Sequence, residues 1–88
     1  MSATEKRREP RRIATGSVRI RFHDQKPVEI EGRLMDISPG GFRMAHHVSS
    51  LAAGQVVEFA HIEAKGRARV IWNRILPECV ETGFLVLR

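Results

Sequence analysis

The chain contains one cysteine, Cys79, and no tyrosine. A lone thiol cannot close an internal disulfide, and its use suits a reducing cytoplasm. Aromatic rings are scarce, with four Phe and one Trp. That is a thin supply for the stacking platforms of a single-strand nucleic-acid binder. No apolar run approaches membrane-spanning length, and the opening MSATEKRREP lacks the apolar core of a signal peptide. The expectation is a cytoplasmic protein that does not insert into a membrane. Helix signals are also missing, because only Leu51-Ala52-Ala53 hints at one and it is too short to nucleate alone. There are no repeats and no low-complexity tract, and 88 residues make one domain with a modest core.

Catalytic constellations are lacking too. The four histidines, His23, His46, His47 and His61, do not have the spacing of a zinc site. Cys79 lies between Glu78 and Glu81, an acidic setting that disfavours a thiolate nucleophile. Asp36 and Ser38 share a segment, but no histidine is placed beside Ser38 to act as general base. The chain reads as a binding module and not as an enzyme, with no cofactor and no metal.

What the chain has in excess is arginine. Fifteen Lys and Arg against ten Asp and Glu give a net charge of +5 and a pI near 10.7. The expected partners are therefore anionic. Lys6, Arg7, Arg8, Arg11 and Arg12 crowd into seven positions. Arginine forks onto phosphate and lies flat on bases, which lysine does not. Residues 1–13 lack apolar periodicity and read as a flexible basic arm stiffened at Pro10.

Residues 14–88 read as a small β-barrel. Val18, Ile20 and Phe22 alternate with Arg19 and Arg21, the pattern of a half-buried strand. Similar strands are expected over 28–37, 42–45, 55–60, 66–72 and 80–87. Met35 and Ile37 fall out of phase with Leu34, which calls for a bulge near Gly32 or a bend before the next turn. Gly83 is a further candidate for a bulge or a close approach. A short helical turn ending at Gly54 is expected within 46–53. Six short strands gain by closing, since closure removes exposed edges, so the fold class is an all-β six-stranded antiparallel barrel.

Between the second and third strands lies Asp36-Ile37-Ser38-Pro39-Gly40-Gly41. It reads as a surface turn that gathers a carboxylate, a hydroxyl and bare backbone. An ionised Asp36 only accepts hydrogen bonds, which suits the N1–H and N2–H₂ edge of guanine. The Ser38 hydroxyl donates or accepts beside it, and Gly40 and Gly41 permit positive φ or close approach of a ligand. Alone, such a turn is a plain hairpin reversal, and a basic tail alone is a solvated charge run. Arm and turn together, in this order, point to one site. Trp72 is in phase with Ala68 and Val70 and reads as core, with stacking on a base at the barrel rim as the other reading. Arg43, Arg67 and Arg69 read as solvated strand faces, with added charge at the site from one of them as the other reading.

An Arg-x-x-x-Arg arm before the first strand, followed by Asp-x-Ser-x-x-Gly between the second and third, resembles the PilZ domain. Arg69-Val70-Ile71-Trp72-Asn73 and Gly83-Phe84-Leu85-Val86 are similar to the last two strands of that family, so the resemblance spans essentially the whole chain. It implies a bacterial receptor for cyclic di-GMP. The arm arginines, Arg7 and Arg11 or Arg8 and Arg12, would close over phosphate and guanine, while Asp36, Ser38 and Gly41 meet a guanine edge, with Gly40 beside them in the turn. Many members continue into a C-terminal helix, for which there is no room after the last strand. The output implied is signalling in trans to an unidentified protein partner. Two alternatives stand beside it: a nucleic-acid-binding barrel, and a protein-interaction barrel that has lost its ligand.

Overall fold

The computed structural model describes residues 11–88. Arg7, Arg8 and most of the expected arm lie outside the described residues. Seven strands are present: β1 (Arg12–Ile13), β2 (Ser17–Asp24), β3 (Lys26–Ser38), β4 (Gly41–His46), β5 (Val56–His61), β6 (Ala64–Ile75) and β7 (Val80–Leu87). Every pairing is antiparallel. The order β3-β2-β5-β6-β7-β4 closes on itself through β3–β4, giving the six-stranded barrel that the alternation predicts. β1 is the extra strand. It continues the lane of β2 along β3, with Arg12 opposite Ile37 and Ile13 opposite Asp36. The last two residues of the expected arm are thus strand. No helix occurs among the described residues, so none is long and apolar enough to cross a membrane. The helical turn expected before Gly54 is instead an irregular loop.

The alternating apolar residues fill the barrel. Val18, Ile20, Leu34, Phe42, Met44, Val57 and Val70 are almost wholly inaccessible. Phe42 stacks on Phe84 with ring centroids 4.7 Å apart and tilts against Phe59 at 4.8 Å. Removing such a buried ring costs about 3–5 kcal/mol.

Two irregularities decide which side chains reach the outer wall. The β3–β4 register skips between Leu34 and Asp36, leaving Met35 as an extra residue. The β6–β7 register skips between Val70 and Trp72, leaving Ile71 as the extra residue. Each is a β-bulge that shifts the facing of everything beyond it by one position.

Candidate functional site

Strict alternation from Leu34, which faces the core, would also turn Asp36 to the side opposite the one occupied by Met35. The bulge absorbs Met35, so Asp36 pairs with Arg43 and Ile37 with Phe42. Directly opposed residues of an antiparallel pair share a face. Ile37 and Phe42 belong to the core, so Asp36 and Arg43 lie on the outer wall. The same reasoning applies across the sheet. Arg43 opposes Gly83, and the bulge at Ile71 sets Trp72 opposite Gly83. A single row therefore crosses four strands on the outer face: Asp36, Arg43, Gly83 and Trp72.

The residues of this row touch. Arg43 donates from Nε (2.9 Å) and Nη2 (2.5 Å) to Asp36 Oδ2, and Arg11 donates from Nη1 to Asp36 Oδ1 at 2.7 Å. The two guanidiniums cover the carboxylate, leaving Asp36 only 5% exposed. The Arg43 guanidinium is held more firmly protonated than usual, chiefly by its hydrogen bond to Asp36. At the other end the indole of Trp72 lies over Gly83. A Cβ at Gly83 would overlap the indole Cε2, Nε1 and Cζ2 atoms, so glycine is required for the ring to lie against the strand.

Several expectations change. Asp36 and Ser38 are not on a surface turn, because β3 runs through Ser38 and both residues are buried. The reversal is confined to Pro39 and Gly40, since β4 begins at Gly41. Neither Gly40 nor Gly41 has positive φ, which occurs among the glycines at Gly16, Gly54 and Gly66. Gly41 is needed for space instead, since a Cβ there would overlap the Phe84 carbonyl oxygen. Trp72 is not core. It is partly exposed on the outer wall, because the bulge undoes the phase that it shares with Ala68 and Val70. The bulge of β3 falls at Met35 and not at Gly32.

The arm arginines part company. Arg11 engages Asp36, whereas Arg12 turns to the β5–β6 hairpin and forks onto Glu63 at 3.1 and 2.6 Å. Arg43, read from the sequence as a solvated strand face that could at most add charge to the site, is its inner anchor. Its signal lay in the phase break at Met35 and Ile37, which becomes informative only with the register in hand. Other strand arginines are engaged elsewhere: Arg19 pairs with Glu29 at 3.0 Å, and Arg69 donates to the Gly54 carbonyl at 3.1 Å. A concavity of about 570 Å³ is lined by Phe22, Val28, Val57 and their neighbours and contains none of these site residues. The row is a platform on the barrel wall, suited to a flat ligand that brings its own cover. Among the described residues no three His, Cys, Asp or Glu side chains converge as a metal site.

No family model matches the chain, and no curated protein does. Solved structures do. YcgR from Escherichia coli, in complex with c-di-GMP, superposes with a TM-score of 0.68 at 20% identity over 94% of this chain and 38% of that one. The Bacillus subtilis inhibitor of motility MotI/DgrA superposes with a TM-score of 0.65 at 15% identity over 92% of this chain and 42% of that one. The chain thus spans about two fifths of the length of these neighbours. At such identities the likeness is one of fold: the chain is similar to these proteins in its barrel, which is PilZ-like.

Proposed function

We propose that the barrel is a receptor for cyclic di-GMP, and that the ligand lies on the Asp36–Arg43–Gly83–Trp72 row beneath the arginine arm. The observation that carries this reading is the row itself, which sets a guanine-complementary carboxylate and a flat indole on one exposed face. The fold likeness to a structure of YcgR holding c-di-GMP supports the choice of ligand.

In this reading a guanine edge donates to Asp36. A carboxylate offers about four acceptor positions, and Arg11 and Arg43 already place three N–H groups there. Two further donors exceed that capacity, so Arg11 leaves Asp36 and turns to a ligand phosphate. Arg43 stays and keeps the carboxylate oriented. Ser38 assists from the same strand end, and Gly40 and Gly41 keep the backbone compact there. The arm register that fits is Arg7 with Arg11, since Arg11 is the described arginine on the site side. Trp72 stacks on a base. The ordered arm and ligand then form a new surface for a partner protein, so the signal passes in trans. Ordering the arm opposes binding, and a micromolar dissociation constant, about 8 kcal/mol, is expected. Titration calorimetry with cyclic di-GMP tests the proposal. Absence of heat at tens of micromolar ligand, with folded protein, would overturn it.

A further inference from the structure

β1 is a very short strand. Two residue pairs join it to β3, followed by one hydrogen bond from the Ala14 amide to the Met35 carbonyl at 3.1 Å. Its side chains alternate across the barrel wall. Ile13, opposite Asp36, is on the outer face and 88% exposed. Arg12, opposite the core residue Ile37, is on the inner face, above the mouth of the barrel. From there its guanidinium reaches Glu63 in the turn between β5 and β6, 51 positions along the chain, and makes a two-pronged pair. Such planar pairs fix direction as well as distance. The Glu63 backbone is itself tied down, with its amide donating to His61 Nδ1 at 3.1 Å. The His61 ring packs edge-on against Phe42 at 5.0 Å.

We propose that Glu63 is a positioning residue for ligand binding: by holding Arg12 across the barrel mouth it pins β1, so that Arg11, the residue before it, is delivered to Asp36. The inference rests on the cyclic di-GMP reading. Its consequence is that Arg12 serves the site from behind and does not touch the ligand. Without Glu63 the two-pair strand frays, and ligand binding must order β1 as well. The Arg12 hydrogen bond also holds the Glu63 carboxyl below its usual range, so the pair is ionised throughout the neutral region. Both side chains are about half exposed, which limits the effect to a small factor, about threefold in Kd.

The test uses the full chain with Glu63→Gln, Arg12→Glu, and the charge swap Arg12→Glu with Glu63→Arg. Affinity for cyclic di-GMP is measured by calorimetry, and hydrogen exchange at the Ala14 amide is followed without ligand. Glu63→Gln should weaken binding about threefold and lower Ala14 protection by a similar factor. The swap should recover both, which a merely structural loss or a direct Arg12–ligand contact would not. Unchanged or tighter binding in Glu63→Gln, or a swap that fails to recover affinity, overturns the proposal. If the parent protein binds no cyclic di-GMP, the ligand reading fails and the role in binding with it. Ala14 exchange would still decide whether Glu63 holds β1.

Discussion

The two bulges do the same geometric work but are braced in opposite ways. Each spends one apolar residue, Met35 or Ile71, to bring the next residue onto the outer wall. The first delivers Asp36 and is braced from outside, by Arg11 and Arg43. These partners are charged and partly exposed, and in the proposed binding mode Arg11 is the one a ligand displaces. The second delivers Trp72 and is braced from inside. Behind it Thr82 donates to Asn73 Oδ1 at 2.6 Å, Asn73 donates to the Leu51 carbonyl at 2.8 Å, and Thr82 meets His46 Nε2 at 2.7 Å. One end of the platform is therefore exchangeable and the other built in. For the proposed anionic ligand this gives movable charge at one end and a fixed surface at the other.

The sharpest way to break the comparison is at the ionic end. Asp36→Ala removes the guanine partner and leaves Arg43 without its carboxylate. Loss of hydrogen bonds to a charged group should weaken cyclic di-GMP binding by about 30-fold, roughly 2 kcal/mol, measured by calorimetry. A loss below threefold would remove Asp36 from the site. At the built-in end, Trp72→Leu should weaken binding about tenfold through lost base stacking. In the parent protein, ligand should quench the emission of this single tryptophan. Unquenched emission at saturation would place the base elsewhere.

Much of the barrel was legible because alternation is a local property. Val18, Ile20, Val57, Phe59, Ala68 and Val70 announce an inner face without any knowledge of their partners. The bulges were not, because a bulge is a relation between two strands. At Met35 a polar Asp36 out of phase betrayed something, though not its position. At Ile71 its own strand gave no sign, and only Gly83, opposite Trp72, marked a bulge or close approach there. An apolar residue at the bulge and an apolar Trp72 after it leave the phase of an ordinary strand, although Ile71 is 46% exposed. The same limit hid Arg43 and Glu63. Whether a strand arginine or a turn carboxylate is solvated or paired depends on what register and closure bring opposite it.

Gly83 gives a smaller and more specific perturbation. Gly83→Ala pushes a methyl into the indole from below. Because the ring is at the surface, it can shift outward, so the cost is at the low end for overpacking, about 1 kcal/mol. Trp72 emission should move to the red in the ligand-free protein, and affinity should fall a few-fold while the Asp36 end stays intact. Unchanged emission would show that the ring does not lie on Gly83.

The smallest effect separates the two braces by pH. The Val48 amide donates to His46 Nδ1 at 3.1 Å, so Nδ1 is the acceptor and the ring proton sits on Nε2, facing the Thr82 oxygen. Protonating Nδ1 would set a second donor against the Val48 amide and place a charge in the interior. Burial, with a lesser contribution from His47, accordingly lowers the His46 pKa. A histidine whose folded value is depressed contributes stability that is complete above its unfolded value, about 6.5, and is lost as pH falls through the folded value. Between about pH 7.5 and about pH 5.5 the melting temperature should therefore drop by a few degrees. His61, also lowered by burial, contributes with the same sign, so the slope should be reduced and not abolished in His61→Gln. Acid should also shift Trp72 emission to the red through the relay behind the second bulge; in His46→Gln the remaining slope is that of His61, and this red shift should disappear, because the relay no longer carries a titrating group. A red shift that persists in His46→Gln would detach Trp72 from the relay and leave the inner brace without a role in holding the indole.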